Sequence, residues 1–133
     1  MLAARTLSVN ISCPPDAVYG FVVNPENLPS WAGGLCQSVD KSAAGWIVHT
    51  PQGDMSFRFA EKNPFGVLDH YVTPAQGGEI HVPMRVLPNG SGSILLFTLF
   101  QLPGMSDDDF ARDAQLVETD LLTLKRVLEA RFG

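Results

Sequence analysis

Cysteine is nearly missing from this chain: Cys13 and Cys36 are the only two in 133 residues, and they form no C-x-x-C pair. Disulfide scaffolds and structural zinc sites need more sulfur than that, so two buried or half-buried free thiols are expected, with a single disulfide as the alternative. Histidine is scarce as well. His49, His70 and His81 are the full set and share no short ligand spacing, so no metal is expected. Basic clusters are lacking too: Lys and Arg occur singly until Lys125, Arg126 and Arg131, and the net charge is −5. A chain with no cationic stripe has nothing to grip phosphates with, which removes nucleic acid and anionic membrane surfaces from the expected partners. No apolar run approaches the roughly 20 residues that cross a bilayer, so membrane insertion is not expected. No charged n-region with an apolar h-region opens the sequence, and a cytoplasmic location is expected. There is no G-x-S-x-G, and Gly33-Gly34, Gly77-Gly78 and Asn89 to Gly92 read as turns rather than phosphate loops, so no cofactor is expected.

What remains is a core. Hydrophobic residues make up 45% of the chain, with eight Phe among them, and a single domain of this length buries about two-thirds of its unfolded surface. Leu7, Val9 and Ile11 alternate with polar residues and predict a first strand. Pro14-Pro15-Asp16 opens a helix that buries Val18, Phe21 and Val22 and stops at Asn24-Pro25. Asn27 to Trp31 reads as a second short helix closed by Gly33-Gly34. From Cys36 to Leu102 come successive strands. Turn clusters at Ser42 to Gly45, Pro51 to Asp54, Asn63 to Gly66, Pro74 to Gly78 and Asn89 to Gly92 separate them, the pattern of an antiparallel meander. Ser106, followed by three aspartates, caps a final helix from about Asp107 to Arg131. Its apolar face is Phe110, Ala114, Val117, Leu121, Leu124 and Leu128.

Strand parity decides which side chains meet that helix, because a one-residue slip turns every side chain over. Four-residue loops at Pro51 to Asp54, Asn63 to Gly66 and Asn89 to Gly92 would pair Trp46 with Phe59, Val48 with Phe57, Phe57 with Val72, Phe59 with His70, Met84 with Phe97 and Val82 with Leu99. One inner face results: Trp46, Val48, Met55, Phe57, Phe59, Leu68, Val72, Ile80, Val82, Met84, Val86, Leu95, Phe97 and Leu99. Val117, Leu121 and Leu124 oppose it, and Trp31 closes one end. His49 and His81 fall on the outer face, as do Arg58, Asp69 and Arg85, which read as surface charges.

His70 is the polar exception on the inner face. Glu61 shares the parity of Phe59 and would lie diagonal to His70, within reach of a long side chain. Gln101 would sit at the strand end, at the mouth of a pocket. A neutral imidazole in apolar surroundings is lowered in pKa by desolvation and raised by a carboxylate, and can then act as a general acid or base. It can equally orient a ligand, or be an ordinary hydrogen-bonded core histidine.

The stretches V9-N-I-S-C-P-P-D-A-V-Y19, N24-P-E-N-L-P-S-W31, F65-G-V-L-D-H70 and the hairpin from P83-M-R-V-L-P-N-G90 to F97-T-L-F100, with the capped last helix, resemble the START/Bet v 1-like (SRPBCC) superfamily. The chain is similar in particular to its small polyketide cyclase/dehydrase-like members. The resemblance spans essentially the whole chain as a single domain. It implies an α+β helix-grip fold: a curved antiparallel β-sheet of six or seven strands around a long C-terminal helix, with two short helices after strand 1. It also implies an internal cavity for a hydrophobic small molecule, lipid or polyketide-like. The expected lining is Trp31, Trp46, Phe57, Phe59, His70, Val82, Met84, Phe97, Gln101, Val117 and Leu121. The alternatives are a cyclase or dehydratase using His70 with Glu61, and a collapsed-cavity protein acting through its surface; a homodimer is compatible with all three.

Overall fold

A computed structural model describes residues 1–33, 36–43 and 45–133. Its elements in chain order are β1 (Ala4–Ile11), α1 (Pro15–Val22), a short 3-10 turn (Pro25–Asn27) and α2 (Leu28–Trp31). Then follow β2 (Ser38–Ser42), β3 (Gly45–Thr50), β4 (Gly53–Phe59), β5 (His70–Pro74), β6 (Ile80–Val82), β7 (Met84–Asn89), β8 (Gly92–Phe100) and α3 (Asp107–Phe132). The strand order is β1-β8-β7 in one antiparallel sheet and β2-β3-β4-β5-β6 in another. The expected helix-grip architecture is present. The expected closures at Gly34 and Ala44 lie outside the described residues.

Pro83 explains why the ribbon divides in two. It has no N–H to give a ladder, so β6 ends before it and β7 begins after it. Its carbonyl still accepts the N–H of Thr98 at 3.0 Å, in register with the Met84–Phe97 pair, but the ladder stops there and Val82 does not pair with Leu99. The Asp69 carboxylate holds the bend, accepting the Met84 N–H at 2.9 Å and facing His81 Nε2 at 2.9 Å. Leu68 donates its N–H to the Met84 carbonyl and Gly66 accepts that of Val86, stitching the segment before β5 onto β7.

Gly66 has no freedom to be anything else. Its φ is +71°, and a Cβ there would stand 2.3 Å from the Val86 carbonyl oxygen.

Two registers are as the loop lengths predict: Phe59 opposes His70 across β4–β5, and Met84 opposes Phe97 across β7–β8. The β3–β4 hairpin differs. Thr50 pairs with Gly53, so Trp46 opposes Phe57 and Val48 opposes Met55. The Thr50 hydroxyl accepts the Gln52 N–H and donates to the Gly53 carbonyl, closing a two-residue turn where four residues were expected. The shift is by two positions, so the faces stay as read.

Helix α3 fills the grip. Ser106 Oγ accepts the Asp109 N–H at 3.1 Å, but Asp109 turns its carboxylate to Arg112, so only half of the capping box forms. Phe110, Ala114, Leu121, Leu124 and Leu128 are buried against the sheets and short helices, while Val117 is half-buried. At its far end α3 is tied to the end of β1. Glu129 accepts the Ser12 N–H at 2.8 Å, Lys125 Nζ donates to the Asn10 carbonyl at 2.7 Å, and the Cys13 thiol reaches the Leu128 carbonyl. Cys13 and Cys36 are both buried free thiols. Among the described residues no helix is long and apolar enough to cross a membrane.

Candidate functional site

His70 opens β5 and is opposed by Phe59 on β4 and Val82 on β6. It is 7% exposed. Phe57 lies nearly parallel to its ring at 5.2 Å, while Phe59 at 5.6 Å and Phe97 at 5.7 Å meet it edge-on or tilted. These separations fall in the range where aromatic rings attract beyond simple area burial. The imidazole Nδ1 is 3.2 Å from the Leu68 carbonyl. A carbonyl only accepts, so the proton of the neutral ring sits on Nδ1 and Nε2 carries the lone pair. Burial pushes the pKa down from 6.5 to about 4, against the smaller upward pull of the Leu68 carbonyl and Asp69. The ring is therefore uncharged near neutral pH.

This ring forms part of the wall of a cavity of about 180 Å³ between the sheet, α2 and α3. Phe57, Val72, Val82, Phe97 and Leu99 line it from the sheet, Leu28, Trp31 and Ala32 from the α2 segment, and Asp113, Leu116, Val117 and Asp120 from α3. The indole Nε1 of Trp31 is the one buried side-chain nitrogen or oxygen without a hydrogen-bond partner among the described residues. Burial and the neighbouring Asp109 push the Asp113 carboxyl above its ordinary pKa, with Arg112 pulling the other way.

Of the expected lining, the structure brings Trp31, Phe57, His70, Val82, Phe97 and Val117 to this cavity. Met84 and Leu121 are sealed in the core beside it, 1% and 2% exposed. Trp46 and Phe59 line a separate open groove of about 730 Å³ between β2–β4 and the end of α1 with the residues after it, which shares only Phe57 with the cavity. Gln101 is not at the mouth. Its amide donates to the Met105 carbonyl and to Asp107, bracing the start of α3.

Glu61 is likewise not beside His70. The chain leaves the ladder after the Ala60 N–H bonds the Asp69 carbonyl. The Asn63 side chain then folds the loop on itself, accepting from Phe65 and Val67 N–H groups and donating to the Glu61 and Val67 carbonyls. This leaves Glu61 exposed. Asp69 corrects a second expectation. It is no free surface charge but a side chain only 16% exposed, bonded to Met84 and His81.

Asp113, Leu116 and Asp120 were not anticipated as lining. Their spacing with Val117, at i, i+3, i+4 and i+7, marks one helix face and is the signal that could have found them. His81 stacks on Tyr71 at 4.9 Å on the outer face, as expected for cross-strand neighbours. Among the described residues no three His, Cys, Asp or Glu side chains converge as a metal site.

Neither a protein-family model nor a curated protein matches the sequence. Solved structures do match. The ZhuI aromatase/cyclase from a Streptomyces species superposes with a TM-score of 0.77 at 12% identity, over 98% of this chain and 96% of that one. Ara h 8.0201 gives 0.73 at 11% identity, over 98% and 100% of the two chains. The Aha1 dimer from Colwellia psychrerythraea gives 0.73 at 17% identity, over 98% and 99%. The chain shares the helix-grip fold of these structures. At these identities the likeness speaks for the architecture and leaves the activity to the site itself. In this helix-grip chain β4, β5, β6 and β8 face α3 across the gap where His70 stands.

Proposed function

We propose that this helix-grip protein binds a hydrophobic small molecule in the cavity beside His70. One observation carries the reading: an apolar, aromatic-walled void of about 180 Å³ stays open between sheet and helix, with few polar groups converging on it. That is the composition of a small-molecule pocket, though smaller than the usual range of about 300–1,000 Å³. The aromatase/cyclase neighbour supports a ring-shaped occupant over an extended one.

Catalysis by His70 as a general base is the weaker reading. A base works best with a pKa near the working pH, and that of His70 lies at about 4, with Glu61 turned to solvent. The neutral imidazole is better matched to orienting a ligand.

The test is thermal shift with compact aromatic hydrocarbons such as tetralin, against the wild type and a Val117→Trp variant that fills the void. A ligand at about 100 times its Kd adds about 2.7 kcal/mol of stability, a Tm rise of several degrees. The wild type should show that rise and the filled variant should not. No rise in the wild type, or an equal rise in both, overturns the proposal.

A further inference from the structure

The open groove between β2–β4 and the end of α1 has a character the His70 cavity lacks. Its floor is aromatic: Trp46 opposes Phe57 across β3–β4, and Phe59 meets Phe57 edge-on at 5.0 Å. Trp46 and Phe59 are only half-buried, so part of each ring faces the opening. Lys41 stands on the same face. It opposes Trp46 across β2–β3, with its ammonium 5.9 Å from the centre of the indole ring.

The uncommitted polar side chains around this floor are all donors. Among the described residues neither Lys41 nor Lys62 has a carboxylate partner. Asn24 spends its Oδ1 on the Glu26 N–H, which leaves its amide N–H groups uncommitted. Arg58 is answered elsewhere, by Glu79 at 3.3 Å and by the Tyr71 ring beneath its guanidinium. No Asp or Glu lines the groove, although the chain carries a net charge of −5. Lysine only donates, so a ligand held here must supply the lone pairs, and a negative charge is favoured over a neutral group.

The opposite wall leaves room for it. Gly20 lies inside α1, where glycine is a poor helix former, and a Cβ added there would meet nothing within 4 Å. Packing does not demand glycine at this point; the bare backbone keeps the groove wide. At about 730 Å³ the space also falls within the usual range of about 300–1,000 Å³ for small-molecule sites.

We propose that this groove is a second ligand site, separate from the His70 cavity, and that it takes an amphipathic carboxylate. The apolar body lies on Trp46 and Phe59, while the carboxylate accepts from Lys41 and Lys62 at the rim.

Decanoate, 1-decanol and decylammonium carry one chain under an anionic, a neutral and a cationic head, and serve as probes. The two tryptophans give two indole signals in a proton–nitrogen correlation spectrum, which a Trp46→Phe variant assigns. Decanoate should move the Trp46 signal, leave that of Trp31 in place, and bind about fivefold tighter than decanol, with decylammonium weakest. Salt at about 0.5 M should shrink that ratio, because charges at an exposed rim are screened. Lys41→Glu should remove the preference for decanoate, and Gly20→Phe, which fills the groove, should abolish binding of all three. Both positions are exposed, and should Gly20→Phe not fold, Lys41→Glu decides alone. No binding of decanoate, decanol binding as tightly, movement of Trp31 in place of Trp46, or a preference that survives Lys41→Glu overturns the inference. So does unchanged binding in Gly20→Phe. Tetralin keeps the two sites apart: its stabilisation should survive Gly20→Phe and disappear with Val117→Trp, so the failure of either reading leaves the other standing.

Discussion

Burial of His70 without charge has a measurable consequence for acid stability. Its pKa falls from an unfolded 6.5 to about 4 in the folded chain. The unfolded state therefore binds more protons throughout that interval, and stability rises with pH across it. At about 1.4 kcal/mol per pKa unit, the contribution is about 3 kcal/mol. It is fully present above pH 6.5 and lost as pH falls toward 4, with a slope of about 1.4 kcal/mol per pH unit in between. That is a large part of the roughly 5–15 kcal/mol that stabilises a typical domain.

Other groups titrate nearby and must be separated. Asp69 and His81 lie next to the ring, and Asp113 and Asp120 face the same cavity from α3. Asp113, raised by burial and Asp109, acts in the opposite sense to His70. His49, raised by its bonds to Asp54 and Asp40, is stabilising below 6.5 and loses that effect as pH climbs through its folded value. The measurement is urea unfolding of wild type and His70→Phe at several pH values between about 7.5 and 4.5, read as the difference between the two proteins. Background groups cancel in that difference. Wild type should lose about 2–3 kcal/mol more than the variant over this span. Parallel pH curves for the two proteins, or an imidazole that titrates at 6.5 or above by NMR, would refute the argument from burial.

Two further substitutions test the frame around the site. Gly66→Ala puts a methyl against the Val86 carbonyl at a positive φ, and should cost more than about 2 kcal/mol by urea unfolding; a cost below about 0.5 kcal/mol would mean that the segment is free to move away. Asp69→Ala removes the acceptor of the Met84 N–H and the partner of His81, and should destabilise by about 1–3 kcal/mol. Amide exchange at Met84 should accelerate in that variant. Unchanged exchange there would show that the carboxylate does not hold the Pro83 bend.

Much of this was legible in the sequence because it rests on periodicity. The apolar face of α3 and the inner face of the strands follow from spacings of three to four and of two, and the β3–β4 register error left them untouched because it was an even shift. His70 among Phe57, Phe59 and Phe97 was readable for the same reason. What escaped reading was set by side chains that bond backbone. Asn63 folds the loop that takes Glu61 away, Gln101 turns to the start of α3, and Asp69 is recruited by a bend at Pro83. Such bonds have no period. They depend on where a chain has already been brought by its packing, so strand parity extrapolated past Phe59 or Phe100 fails at the first of them.

The properties of the His70 cavity share one origin. Sheet and helix can close completely only where side chains from both sides fill the space between them. Leu121 and Leu124 do so against Met84 and Leu95, all nearly inaccessible. One turn earlier on α3, Val117 is shorter and is flanked by Asp113 and Asp120, which favour the helix edge over the core. The space left there is the cavity, and its depth desolvates His70 while its walls keep water's hydrogen bonds few. The low pKa of His70 follows from its burial beside that space. Filling it should act on both at once: with Val117→Trp, loss of ligand binding should come together with greater shielding of His70, whose pKa would fall further rather than recover.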